Sequence, residues 1–213
     1  MALICDFRVV GPVQTNCYFL YDEKTKKGVL VDPGDEAEKL LSYIGKKGLQ
    51  IEAILLTHGH FDHIMAVPEL KKELGVPVYV SRVEKEVLED PMTNLSLQMG
   101  GRGICLEADH YLEDGDTITL LGEEVRCILT PGHTVGGMCY YFPKAGILFS
   151  GDTLFQESVG RTDFPGGSMK ELIRSIREKL FVLASATRVY PGHGFSTSIE
   201  TEKMFNPFAT DGF

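Results

Sequence analysis

An α/β sandwich, two sheets packed face to face and each covered by helices, is the fold class the sequence predicts. Two observations carry it. Short apolar runs rich in β-branched and aromatic residues recur between turn residues, and a run of strands followed by a helix occurs once in each half of the chain. The 213 residues are 43% hydrophobic and 24% charged, with no linker-like stretch or composition break, so the sequence reads as a single domain over 1–213 with ample material for a core.

The elements follow in order. Strands are expected over 3–10, 17–21 and 28–31, a meander. Asp32-Pro33-Gly34-Asp35 is a turn that opens a helix over 36–46, in which Ala37, Leu40, Leu41 and Ile44 share one face. Residues 51–56 form an apolar run of strand length, fit for a central buried strand. A helix over 64–74 stopped by Gly75, a strand over 76–80 and a helix over 82–88 come next, and the glycine-bearing stretch 91–108 reads as loop. The second half gives strands over 117–121, 124–129, 137–142 and 146–149, a helix over 168–180 and a strand over 188–190.

Charge and cysteines exclude several classes. A net charge of −9 and a pI near 5.2 would repel nucleic-acid phosphates, so nucleic acid is not expected as a partner. Residues 1–10 have no basic segment and only a short apolar run, which is not a signal-peptide pattern, and no stretch is long enough to span a membrane. Cys5, Cys17, Cys105, Cys127 and Cys139 are odd in number and form no CxxC pair; they read as small buried hydrophobes in a cytoplasmic protein.

The chemistry lies where strands give way to turns. His58, His60 and His63 in Thr57-His58-Gly59-His60-Phe61-Asp62-His63 follow the run 51–56, His133 lies in Thr130-Pro131-Gly132-His133, and His193 in Pro191-Gly192-His193-Gly194. Residues at neighbouring strand ends converge in space, glycines let the backbone approach an ion, and imidazole with carboxylate suits zinc, iron or manganese. His58 and His60 can aim at one metal while Asp62 and His63 turn to another. Asp152, after the apolar run ending at Phe149, is placed to bridge two ions at the ~3.5–4 Å typical of two-metal sites. His110 belongs to no such motif and is assigned to the surface or a strand edge.

On these residues the sequence resembles the metallo-β-lactamase superfamily: Thr57 to His63 match its THxHxDH signature, and His133, Asp152 and His193 its remaining ligands. The resemblance implies a four-layer αβ/βα sandwich with two divalent ions, zinc first and iron or manganese also accepted, held by His58, His60, Asp62, His63, His133, Asp152 and His193. Gly151-Asp152 points to the glyoxalase II-like branch, and the short bacterial members in particular, with Asn206-Pro207-Phe208 near the terminus as in those relatives. The expected reaction is hydrolysis of a small-molecule thioester such as S-lactoylglutathione by a metal-activated hydroxide that Asp62 and Asp152 orient. Arg161 is the cationic candidate for an anionic substrate tail, with anchoring of its loop to Asp163 as the alternative role. Two other readings stand beside this one: a mononuclear iron persulfide dioxygenase using His58, His133 and Asp152, and a non-catalytic metal-binding module.

Overall fold

The computed structural model describes residues 3–209. The first sheet takes its strands in chain order: β1 (Leu3–Val10), β2 (Thr15–Asp22), β3 (Lys27–Val31), β4 (Gln50–Leu55), β5 (Val78–Ser81) and β6 (His110–Leu112). β1 to β3 are antiparallel, and β3 to β6 run parallel. The parallel half needs crossovers. α1 (Ala37–Lys47) joins β3 to β4; α2 (Phe61–Ile64) and α3 (Val67–Leu74) join β4 to β5.

The second sheet contains β7 (Thr117–Leu120), β8 (Glu123–Leu129), β9 (Met138–Phe142) and β10 (Ile147–Gly151) as an antiparallel meander. A small hairpin, β11 (Leu154–Phe155) with β12 (Ser158–Val159), and a helix that lies before β13 (Arg188–Pro191) separate β10 from its parallel neighbour. β14 (Thr197–Ser198) closes the spatial order β14-β13-β10-β9-β8-β7.

Side-chain alternation on these strands builds the layers. All eight residues of β2 are buried: Cys17, Phe19 and Tyr21 enter the core beneath α1 and α3, while Tyr18 and Leu20 enter the core between the sheets. β9 and β10 do the same on the other side, with Tyr140, Phe142 and Phe149 between the sheets and Cys139, Tyr141 and Leu148 facing outward to Leu172, Ile176 and Ile199. Burial on both faces is why these strands read as near-continuous apolar runs. The result is the four-layer αβ/βα sandwich.

Several elements differ from the sequence reading. The helix expected over 64–74 is two: Pro68, early in α3, has no N–H to continue a helix from Ile64, so the chain restarts at Val67. The helix over 82–88 is a 3-10 turn, Arg82–Glu84, followed by α4 (Lys85–Glu89), and that over 168–180 is α5 (Met169–Ser175) widening into a π-turn at Ile176–Leu180. β6, the β11–β12 hairpin, β14 and α6 (Ile199–Phe205) were not foreseen. The first three are two or three residues long, too short for a period to show. For α6 a signal did exist: Ser198 caps it by accepting the N–H of Thr201. Cys17, Cys127 and Cys139 are buried as expected, but Cys5 is half-buried and Cys105 exposed.

The stretch 91–108 packs into the first core through Leu95, Ile104 and Leu106, with Asn94 donating to the Leu88 and Ile104 carbonyls. His110 lies on the edge strand β6, its ring stacked on Tyr79. Among the described residues no helix is long and apolar enough to cross a membrane.

Candidate metal centre

The carboxyl ends of β3, β4, β8, β10 and β13 meet along one edge of the sandwich, where strands end and backbone groups are free to face a ligand. His58 and His60 follow β4, Asp62 and His63 lie in α2, and His133, Asp152 and His193 follow β8, β10 and β13. All seven residues singled out in the sequence come together there.

They gather as two triads with Asp152 between them. His58, His60 and His133 offer ring nitrogens within 4.8 Å of one another, as do the donor atoms of Asp62, His63 and His193. His60 Nδ1 and His133 Nε2 lie 3.0 Å apart. Asp152 Oδ1 lies 3.5 Å from His63 Nε2, and Oδ2 lies 3.6 Å from His133 Nε2 and 3.5 Å from His193 Nε2, so its two oxygens touch both groups.

Hydrogen bonds orient the His133 and His63 rings. His133 Nδ1–H donates to the Arg161 carbonyl at 2.7 Å, which leaves Nε2 as a lone pair facing the cluster. His63 Nδ1–H donates to Asp32 Oδ2 at 3.0 Å, which turns Nε2 toward the cluster. Asp32 also accepts from Thr57, Oγ1 at 2.6 Å and N at 2.8 Å, and Thr15 donates to Asp62 at 2.9 Å. Asn16 holds the His193 loop by donating to the Pro191 and Gly194 carbonyls.

Burial and charge then set the protonation. His58 is held well below the ordinary imidazole range by burial and by the surrounding rings, and His60 is brought down to about 3 for the same reasons. Burial works against a proton on His63 too, but Asp62, Asp32 and Asp152 outweigh it and push it up to about 10; the carboxylates likewise raise His193 against its burial. Asp62 is lowered despite its burial by His63 and His193. His58 Nε2, His63 Nε2 and Asp152 Oδ1 are buried and have no hydrogen-bond partner among the described residues. Converging imidazole and carboxylate atoms with orphaned polar groups are unfavourable alone and well suited to a cation.

The cluster forms the floor of a cleft of about 250 Å³. Val13, Phe61, Leu95, Met99, Phe155 and Phe164 supply apolar walls, and Arg161 is also on the rim. The Arg161 guanidinium pairs with both oxygens of Asp163, at 2.9 and 2.7 Å, and lies over the Phe164 ring.

Comparison with known proteins agrees with this geometry. The model of the metallo-beta-lactamase superfamily matches residues 10–193. The chain belongs to that superfamily. Among curated relatives of this superfamily member, "Probable metallo-hydrolase YqgX" of Bacillus subtilis (strain 168) is 42% identical over 200 residues, covering 93% of this chain and 94% of the relative. "Hydroxyacylglutathione hydrolase GloC" of Haemophilus influenzae (strain ATCC 51907 / DSM 11121 / KW20 / Rd) is 36% identical over 201 residues, with 93% and 94% covered. Two solved structures overlay closely: BLEG-1 B3 metallo-beta-lactamase at 42% identity and TM-score 0.92, covering 97% of this chain and 100% of that one, and TTHA1623 in a di-iron-bound form at 40% and 0.83, covering 95% and 99%. The superfamily's metallo-hydrolase character is therefore shared by this chain, and the cluster is suited to divalent metal.

Asp32, Thr15 and Asn16, which position the site, escaped the sequence reading. Asp32 was read as a turn residue, yet it is 2% exposed and orients His63. The signal was present, since Asp32 follows an apolar strand as Asp152 does. Thr15, at the start of β2, carried none.

Proposed function

We propose that this chain is a thioester hydrolase with a two-metal centre, acting on hydroxyacyl thioesters such as S-lactoylglutathione. The observation that supports it most is the pair of triads, His58/His60/His133 and Asp62/His63/His193, sharing Asp152 beneath a mostly apolar cleft. The 36% identity to a hydroxyacylglutathione hydrolase supports the substrate class.

These seven residues would hold the ions, zinc in the first instance with iron or manganese suited to the same donors. When bound, divalent ions supply Lewis acidity that brings the pKa of a water toward neutrality and polarises a carbonyl. Asp62 and Asp152 have the role of orienting the attacking water, Asp152 because its oxygens reach both triads and Asp62 because its carboxylate stands beside His63 and His193. The cleft walls shield the reacting carbonyl from bulk water, and the thiolate leaves with little need for an acid. Arg161 is placed to meet an anionic tail, at the cost of sharing its charge with Asp163. The free thiols and absence of a membrane-spanning helix among the described residues fit a cytoplasmic enzyme.

A second reading, β-lactam hydrolysis, draws on the 42% identity to a protein titled a B3 metallo-beta-lactamase. The deciding experiment measures thiol release from S-lactoylglutathione beside nitrocefin hydrolysis, on protein of known metal content. Thiol release should dominate, and Asp152→Ala should cost more than the roughly 10–100-fold typical of losing an outer-shell partner. Nitrocefin turnover exceeding thiol release would replace the assignment, and an Asp152→Ala variant active at full metal occupancy would remove the role given to Asp152.

A further inference from the structure

Glu84 is a buried carboxylate outside the cluster, at 0% exposure, in the 3-10 turn that links β5 to α4. Its two oxygens serve two different loops. Oε2 accepts the backbone N–H of Gly59 at 2.8 Å, and Oε1 accepts that of Gly136 at 2.8 Å. Gly59 separates His58 from His60, and Gly136 lies just past His133.

Both donors are glycines in tight quarters. A Cβ on Gly59 would stand 3.1 Å from Glu84 Oε2 and 3.0 Å from Val87 Cγ1; one on Gly136 would stand 2.7 Å from the Glu84 backbone nitrogen. The two loops thus lack side chains where Glu84 and its turn come close. An apolar side chain would fill this space without the penalty of burying a carboxylate, so packing alone does not account for Glu84. The other triad is tied differently: Thr15 binds Asp62, Asp32 binds His63, and Asn16 holds the His193 loop.

We propose that Glu84 is a positioning residue for the metal centre, its carboxylate tying the His58–His60 loop to the His133 loop and so setting the spacing of the three imidazoles of the first triad. The inference rests on the reading of the cluster as a metal centre. Gln at this position can accept one amide but turns its own NH₂ toward the other, so Glu84→Gln breaks the tie while preserving volume. Glu84→Asp keeps the charge and shortens the reach.

The test is a titration of the metal-stripped full chain with Co(II), read from its visible ligand-field bands. Glu84→Gln is expected to bind the ion of the His58/His60/His133 triad about tenfold or more weakly with altered bands, while the other ion stays within about twofold, and Glu84→Asp falls between. A variant that binds both ions as the wild type does, with the same spectrum, overturns the proposal. Should Glu84→Gln fail to fold, amide exchange in the metal-free wild type decides: Gly59 and Gly136 protected together supports the tie, and free exchange at either overturns it. A wild type that takes up no Co(II) would instead remove the metal-centre reading, and the exchange measurement still settles the tie.

Discussion

His63 stands among three carboxylates, with Asp32 at 3.0 Å from Nδ1 and Asp62 and Asp152 each 3.5 Å from Nε2. Those charges overcome its burial and push its pKa up to about 10, whereas His60, buried beside His133, sits at about 3. The sign of the pH dependence follows. Below about 10 the metal-free His63 carries a proton that a cation must displace, so affinity at the Asp62/His63/His193 triad rises with pH through the neutral range. His60 is already neutral there and adds no such slope. Calorimetry in buffers of different ionisation enthalpy should find one ion entering with proton release near neutral pH and the other with less; equal release would contradict this. Asp32→Asn weakens the charge behind His63 and should lower metal affinity by roughly 10–100-fold. Equilibrium dialysis of the folded variant measures it.

Among elements, the strand ends do the positioning, and their glycines show how closely. Gly192, one residue beyond β13, has its N–H on the Gly151 carbonyl at 2.8 Å and its carbonyl on the Asn16 N–H at 2.7 Å, so its backbone is held on both sides. A Cβ there would lie 2.2 Å from Asp152 Oδ1 and 2.7 Å from His63 Cε1. In Gly192→Ala the side chains have to yield. The variant should fold with a melting temperature close to the wild type and lose about 10²-fold in thiol-release activity, the scale of a misplacement near 1 Å. A fully active Gly192→Ala would show that Asp152 can move freely. Elements of five or more residues, such as β2, β4, β9 and α1, were legible in the sequence, the strands as apolar runs of strand length and α1 by the single apolar face it buries. β6 and β14 were not, because two or three paired residues are selected by the neighbouring strand rather than by their own composition.

Across the whole molecule, the two sheets are joined where the site lies. The Tyr140 hydroxyl on β9 donates to the Leu56 carbonyl at the end of β4 at 2.9 Å, the Met138 N–H donates to the Thr57 carbonyl, and Tyr18 on β2 donates to Pro191. Tyr140 is fully buried, so Tyr140→Phe leaves a carbonyl unsatisfied in the core and should cost about 1–3 kcal/mol of stability, read from denaturant unfolding. An unchanged midpoint would mean that this bond does not clamp the sheets. By itself the sequence determined the fold class and brought forward His58, His60, Asp62, His63, His133, Asp152 and His193, because imidazoles and carboxylates placed beside glycine at strand ends leave a local pattern. The sequence also separated His58 and His60 from Asp62 and His63; only the tertiary structure decided that His133 joins the first pair and His193 the second, that Asp32 stands behind His63 and that Glu84 spans two loops. Those pairings join residues from different strands and loops, and a hydrogen bond across such a separation is set by how the strands pack, which no local spacing records.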